Sequence, residues 1–508
     1  MSLLPAIRLV QSLSGPEKRF FKLNTRQQSG ARDYQKLFDI ICNSGPQTEE
    51  VSTQFRSAFP KSNIDNTARY LMRVLTDCLI QSRVQKDGFF QLFQGIMRVK
   101  VLQERALPEE GYKELKRIRE NASQYQQHFI EYLTYRYELD HLSGIGFSGV
   151  SDSQLVQTQM KAKELLKNVN HVQDHHSLFE LMKYRLLHAG QILSDEHRKK
   201  LNDLMLSEMI LMTGKMKNNF AAQKLHLLFQ SYFLTNIGDF SSALKTYREL
   251  NKLFEDNLSL LDHPPLDYLS ALDGIITSLC MLKNYDEIDY YAAKLEHLAQ
   301  QPWPEYFRYQ LRKSMLSAKL AIHTANGEYG SARHLIDQSG KDLIAAYGMV
   351  NEEKQWELYF YAALSHFGCG DLKKAHRWLG ELMQLHKPQN TLLICKAARL
   401  LNLIIHFEQG DTEYINYEIR SYTRFFHRPQ EPRLQTEVLL LKLLQALPAS
   451  GKRFTLPAAM QKQMGKLDQL QQDKYEQQLL RYFDFADWMM RVCQTDAKSG
   501  NHRLRPRK

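Results

Sequence analysis

The sequence predicts an all-α chain arranged as an α-solenoid of antiparallel helix pairs, and three observations predict it. Apolar residues recur at helical spacing over most of the 508 residues. A short corner returns five times, as Gly238-Asp-Phe-Ser-Ser-Ala243, Lys283-Asn-Tyr-Asp-Glu-Ile288, Gly327-Glu-Tyr-Gly-Ser-Ala332, Gly370-Asp-Leu-Lys-Lys-Ala375 and Gly410-Asp-Thr-Glu-Tyr-Ile415, at intervals of 45, 44, 43 and 40. Only 15 Pro and 24 Gly stand against 43% apolar and 11% aromatic residues, which is enough for a packed core and argues against extensive disorder. A core growing in one dimension accommodates this length as readily as several separate domains.

From the start, Met1 to Ser14 reads as an amphipathic helix, not a signal peptide, because no basic segment precedes its apolar part and Arg8 interrupts it. The chain breaks at Ser14-Gly15-Pro16 and restarts with Glu17 in a first turn. Helices follow over Asp33 to Cys42 and Thr48 to Phe59, ended by Pro60. Ser62 with Asp65 reads as a capping box opening a helix of about twenty residues, with Ile64, Ala68, Leu71, Leu75 and Leu79 inward. Helices of this order raise the question of a DNA reader. Against it, Arg69 and Arg73 are each spaced four residues from an acid (Asp65 and Asp77), predicting intrahelical ion pairs, and no β-hairpin wing follows.

From Phe89 to Leu142 the pattern stays helical, with Tyr125, Tyr132, Tyr135 and Tyr137 expected in helix packing. The run Ser143 to Gly149 is glycine-rich but has no preceding strand and no following Lys-Ser/Thr, so it reads as a loop. His171, Asp174, His175 and His176 are placed in a turn, between a helix ending near Asn170 and one capped by Ser177 and Glu180. Without a fourth ligand no metal is expected there, and no cofactor is expected anywhere.

The corners beyond Leu227 resemble the turn between the two helices of tetratricopeptide (TPR) repeats, where a Gly, an acidic or amide residue, an aromatic and a small residue recur. The likeness is fullest at Gly238, Phe240, Ala243 and Tyr247 and at Gly327, Tyr329 and Ala332. Lys283 replaces the Gly and Thr412 the aromatic, and the period exceeds the family's about 34, so this is a divergent, long-helix variant. The resemblance implies a right-handed superhelix. The opening, Ser12 to Leu23, is similar to the starts of uncharacterised helical-repeat proteins of Bacteroidota, which implies a bacterial source and no activity. On this reading the chain divides into a basic helical region (1–120), early repeat pairs (121–220), TPR-like repeats (221–430), capping helices (431–493) and a disordered basic tail (494–508). After Pro457 a single helix of some 35 residues is expected to cap the stack.

Carrying over the family's groove offsets places Tyr232, Thr235, Asn236, Asp273, Thr277, Ser314, Ser317 and Thr324 on a polar, nearly uncharged half of a concave wall. Phe360, Leu364, Phe367, Leu400, Ile404 and Phe407 line an apolar half, which either the chain's own C-terminal helix or a partner would fill. No Lys/Arg pair occupies the offsets, so the clamp that holds acidic C-termini in some members is not expected.

The net charge of +11 lies at the two ends. Residues 1–120 hold 20 basic and 13 acidic residues, the last 15 hold 5 and 1, and the middle is balanced at 42 against 42. A groove for nucleic acid would carry its surplus along the repeats, so the distribution argues against one there. No run of about 18 apolar residues is present for a membrane span. Six Cys without metal-like spacing read as reduced thiols of a cytoplasmic protein. No HExxH, P-loop or GxSxG motif occurs. The expected function is therefore a non-enzymatic scaffold binding a protein or peptide partner. The alternatives are a DNA-binding regulator with a helical head and an enzyme of unrecognised type.

Overall fold

The computed structural model describes residues 3–25, 33–43, 48–84, 87–189, 192–212, 219–339, 352–385, 393–426, 433–446, 465, 467–470 and 472–494. Among them every regular element is helical and no strand occurs. The chain forms two compact units, the first comprising Met1–His171, Ser259–Pro264 and Pro302–Arg308 and the second the remainder.

In the first unit, helices Leu3–Ser12, Gly15–Thr25, Asp33–Asn43, Thr48–Ala58 and Ile64–Val84 pack around Ile7, Val10, Phe21, Leu37, Phe38 and Phe55. Ser14 and Glu17 form a reciprocal cap, with Glu17 Oε2 2.8 Å from the Ser14 amide. The long fifth helix is capped by Asn63, whose Oδ1 accepts from the amides of Asp65 and Asn66 at 2.9 and 3.2 Å. The expected Ser62 box is thus displaced by one residue, since an Asn side chain reaches the same amides. Neither expected intrahelical ion pair forms: among the described residues Arg69 and Arg73 meet no carboxylate, and Arg73 lies 5.1 Å from the Tyr70 ring instead. Three helices of 17 residues follow, Gly88–Glu104, Pro108–Gln124 and His128–Gly144.

The second unit is built of hairpins: Phe220–Asn236 with Phe240–Asp256, Leu266–Met281 with Ile288–Ala299, Glu305–Ala325 with Tyr329–Ser339, Glu352–Gly368 with Leu372–Leu385, and Leu393–Gln409 with Thr412–Phe426. Helix Phe240–Asp256 packs on Leu266–Met281, Tyr329–Ser339 on Glu352–Gly368, and Leu372–Leu385 on Leu393–Gln409, so hairpins also meet through successive neighbours. This is a repeat-like, all-helical arrangement.

The corners share one geometry. Gly238, Gly327, Gly370 and Gly410 have φ of 77°, 75°, 79° and 78°, and Lys283 adopts the same left-handed region at 56°. The next amide in each case donates to the carbonyl five residues back, at 3.0 Å from Asp239 to Leu234 and 2.8 Å from Glu328 to His323. The device also operates where no glycine marks it. Ala106 (φ 57°) and Gln126 (φ 50°) stand between the 17-residue helices of the first unit, and Leu107 and Gln127 close the same bonds at 2.9 and 2.8 Å.

Two further expectations are corrected. Asp152–Ala189 is one helix of 38 residues, so the His171 to His176 stretch lies within a helix and not in a turn. His175 is buried there, its Nδ1 3.7 Å from Oε1 of the buried Glu208, which also hydrogen-bonds His226; this contact favours continuing the helix. Among the described residues the expected 35-residue terminal helix is broken into Leu467–Leu470, Lys474–Leu480 and Phe485–Gln494; its first residues after Pro457 lie outside them. Asp473 caps the second through the amides of Tyr475 and Glu476, and Asp484 accepts from the Asp487 amide of the third. Each cap stops the helical ladder and re-aims the chain. The basic tail beyond Gln494 lies outside the described residues.

Three substitutions, one destabilising and two stabilising, test the corner. Gly238→Ala is expected to destabilise by roughly 1–2 kcal/mol from left-handed strain alone, and a Cβ there would lie 2.4 Å from the Lys474 carbonyl oxygen. Lys283→Gly and Gln126→Gly are expected to stabilise by up to about 1 kcal/mol each, the added chain entropy of Gly offsetting part of the relief. Denaturant midpoints of the three variants measure both signs.

Candidate functional site

The C-terminal residues 472–494 belong to the second unit and cross the hairpin helices there. Glu476 is buried and caps helix Gln435–Ala446, accepting from the amides of Gln435 and Thr436 at 2.6 and 3.1 Å. Gln478 Nε2 donates to the carbonyls of Ile192 and Asn236, each at 3.2 Å. Tyr475 and Lys474 both bond Asp195, at 2.7 and 3.1 Å.

Their aromatic side chains cover the expected apolar half of the wall. Phe360 meets Tyr482, Phe367 meets Phe483 and Phe407 meets Trp488, with ring centroids 5.7, 6.0 and 5.8 Å apart. Phe360 and Ile404 are fully buried, Leu364 and Phe367 nearly so, and Leu400 is core. Phe360, Phe367 and Ile404 are therefore covered by this chain's own residues and offer no open apolar surface to a partner, whereas Phe407 is half-buried and Leu364, though buried, borders a cleft. Burying them internally removes their apolar area from water without any second molecule.

The polar half is only partly open, since Ser314, Ser317 and Thr324 are buried. A cleft of about 930 Å³ is lined by Cys280, Thr324, Tyr361, Leu364, Arg481 and Tyr482 among others. A second, of about 420 Å³, is lined by Tyr232, Thr235, Asn236, Asp273, Thr277 and Lys183. Arg481 and Tyr482 belong to the walls of both. A small recess holding Ser314, Ser317, Lys354 and Glu357 shares these two residues as well. Tyr232, Asn236, Asp273 and Thr277 thus line the second cleft, while Ser317 lies buried in the recess, which shares Asp273 and Thr277 with it.

What the offsets miss is the charge. Lys354 Nζ lies 3.0 Å from Glu357 Oε2 and 3.9 Å from Asp273 Oδ1. Ser314 donates to Asp273 at 2.9 Å and Ser317 to Glu357 at 3.1 Å. Arg481 hydrogen-bonds the Tyr482 hydroxyl and lies 4.3 Å from that ring. These groups are surrounded by protein, yet the Lys354, Glu357 and Asp273 side chains keep 16%, 20% and 24% exposure and line the recess and the second cleft. Burial pushes the Asp273 carboxyl up, against the pull of Lys354. Burial acts the same way on Glu357, but Lys354 and Arg481 outweigh it and hold that carboxyl below its ordinary range. Lys354 is lowered by burial and raised more strongly by the two carboxylates, for a net rise.

Helical spacing carried a signal for half of this set. Lys354, Glu357, Tyr361 and Leu364 lie at successive three- and four-residue steps on one helix, so extending the stripe from Leu364 backward finds them. Arg481 had none, since its place depends on a chain crossing far from the repeats in sequence.

Chemically the arrangement is a closed set of two cations and two carboxylates. Cys280, the one thiol lining these clefts among the described residues, is pushed up to about 12 by burial and stays protonated at neutral pH, which unfits it as a nucleophile. Compared with known proteins, the chain matches no family model, no curated protein and no solved structure.

Lys313 neighbours this set in sequence but points into the core. It is fully buried, bonds Gln355 Oε1 and lies 4.8 Å from the Tyr309 ring, and burial pulls its pKa down to about 8. In the unfolded chain it titrates near 10.5. Between these values the unfolded state holds a proton the folded state has released, so this residue makes stability rise with pH through that window and imposes its full penalty below it. Lys313→Met is expected to be more stable than the parent at neutral pH, with the difference shrinking from about pH 8 upward. Parallel urea titrations from neutral to alkaline pH read this difference, which cancels the opposing ionisation of thiols common to both proteins.

Proposed function

We propose that the chain is a non-enzymatic interaction scaffold, a solenoid of TPR-like helix pairs whose polar clefts take an extended or helical segment of another protein. The observation that carries this reading is the pair of clefts of about 930 and 420 Å³, walled by hydroxyl and amide side chains from successive hairpins. Their size is that of recognition sites, and hydrogen-bonding walls suit a peptide backbone. The charged set is internally neutralised, so it supports binding through hydrogen bonds more than through charge, and its cations are not free to clamp an acidic C-terminus. The locked ion pairs and the protonated Cys280 favour binding over catalysis. The six free cysteines suit a reducing compartment, in keeping with the cytoplasm.

A random peptide library displayed against the full chain tests the reading. Enriched peptides are expected to bind the parent and to weaken at least about tenfold when Thr277→Trp or Asn326→Trp fills a cleft, with melting temperature unchanged. Failure to enrich any sequence, or equal binding by both filled variants, removes the proposal.

A further inference from the structure

We propose that the helical bundle of the first unit binds duplex DNA through the exposed face of helix Ile64–Val84. Residues 1–84 contain twelve Lys or Arg and seven Asp or Glu. Three of those acids are already engaged: Glu17 at the Ser14 cap, Asp33 accepting from Thr67 Oγ1 at 3.0 Å, and Asp39 paired with Lys22 at 2.8 Å. Lys22 is thereby neutralised, while Lys61, Arg69 and Arg73 are exposed.

Two of the cations, Arg69 and Arg73, share one exposed stripe of the helix. Asn66, Arg69, Tyr70 and Arg73 fall at helical spacing and are all exposed, with Lys61 and Asn63 exposed just before the helix. Arg69 and Arg73 meet no carboxylate among the described residues. The Arg73 guanidinium lies 5.1 Å from the Tyr70 ring, and Tyr70 itself meets Tyr34 edge-on at 5.1 Å. An arginine stacked on a ring that is braced from below loses little freedom on binding.

The opposite face of the helix is anchored. Ala68, Leu71 and Leu75 are buried, and helices Asp33–Asn43 and Thr48–Ala58 pack against it. The helix therefore presents its polar stripe as a rigid edge. Seven residues separate Asn66 from Arg73, a rise of roughly 10 Å, which suits a major groove about 12 Å wide. Guanidinium and carboxamide groups are the side chains that pair with guanine and adenine edges there. Farther along, Asp77 and Ile80 are exposed on the same helix, so contact is confined to its first half, the part that enters the groove in helix-turn-helix readers.

The test is fluorescence anisotropy of the full chain with a labelled mixed-sequence duplex, titrated across roughly 50 to 200 mM salt. Binding is expected, with a logarithmic salt slope of about −0.9 per phosphate neutralised. Arg69→Ala/Arg73→Ala should weaken it about tenfold or more at low salt and reduce the slope by roughly 2. Arg69→Gln/Arg73→Gln, which keeps side-chain bulk, should do the same, and the melt of each variant should match the parent. A chain lacking residues 495–508 should retain binding. Absence of binding at the lowest salt overturns the proposal. So does binding that survives both double substitutions, disappears with the terminal residues, or is competed equally by an acidic peptide.

Discussion

A tight corner with a left-handed centre is the constraint on which the rest of the structure depends. It ends one helix by turning the next amide back onto a carbonyl five residues earlier, and at Gly238 the next helix starts two residues later. The closing bond is the same whether the centre is Gly238, Lys283 or Gln126. Because the turn is too short to carry a core of its own, each helix must bury its apolar face against the helices before and after it. Helix Leu393–Gln409 shows the limit of this: every residue from Leu393 to His406 is buried apart from Arg399, since neighbours surround it.

Stacking of this kind always leaves a last apolar face. Here the residues from Asp473 to Gln494 cover it with Leu479, Phe485, Trp488 and Met489, all almost inaccessible to water. The covering segment is also held by directed bonds: the buried carboxylate of Glu476 at a helix N-terminus, and Gln478 on two backbone carbonyls. Apolar burial supplies stability without direction, while these bonds select one seating. The seating explains why the apolar half of the wall becomes core and the polar half becomes cleft.

Helix type and most corners were legible in the sequence because glycine is a visible mark of positive φ. Ala106 and Gln126 carry no such mark, and Lys283 was found only by register with its neighbours. Tyr232, Asn236, Asp273 and Thr277 line one cleft and Ser317 a small recess beside it, positions that follow from local spacing within a hairpin. Arg481 depends on where a distant segment comes to rest, and no local pattern encodes that. The unbroken helix through His175 escaped for the same reason, as Glu208, itself bonded by His226, approaches it from another helix. Arg69 and Arg73 show the converse failure: spacing permits an ion pair, yet an exposed pair gains too little to compel one.

That last point separates two settings in this protein. In the second unit Lys354, Glu357 and Asp273 lie deep beside the cleft, where an uncompensated charge is costly, and they are paired. In the first, Arg69 and Arg73 stand in water, where pairing contributes little and a free guanidinium keeps its whole field. The same side-chain chemistry is therefore silent in one setting and available in the other. A ligand entering the cleft meets a neutralised wall and must be recognised by shape and hydrogen bonds, whereas one approaching helix Ile64–Val84 is drawn by charge before any contact forms.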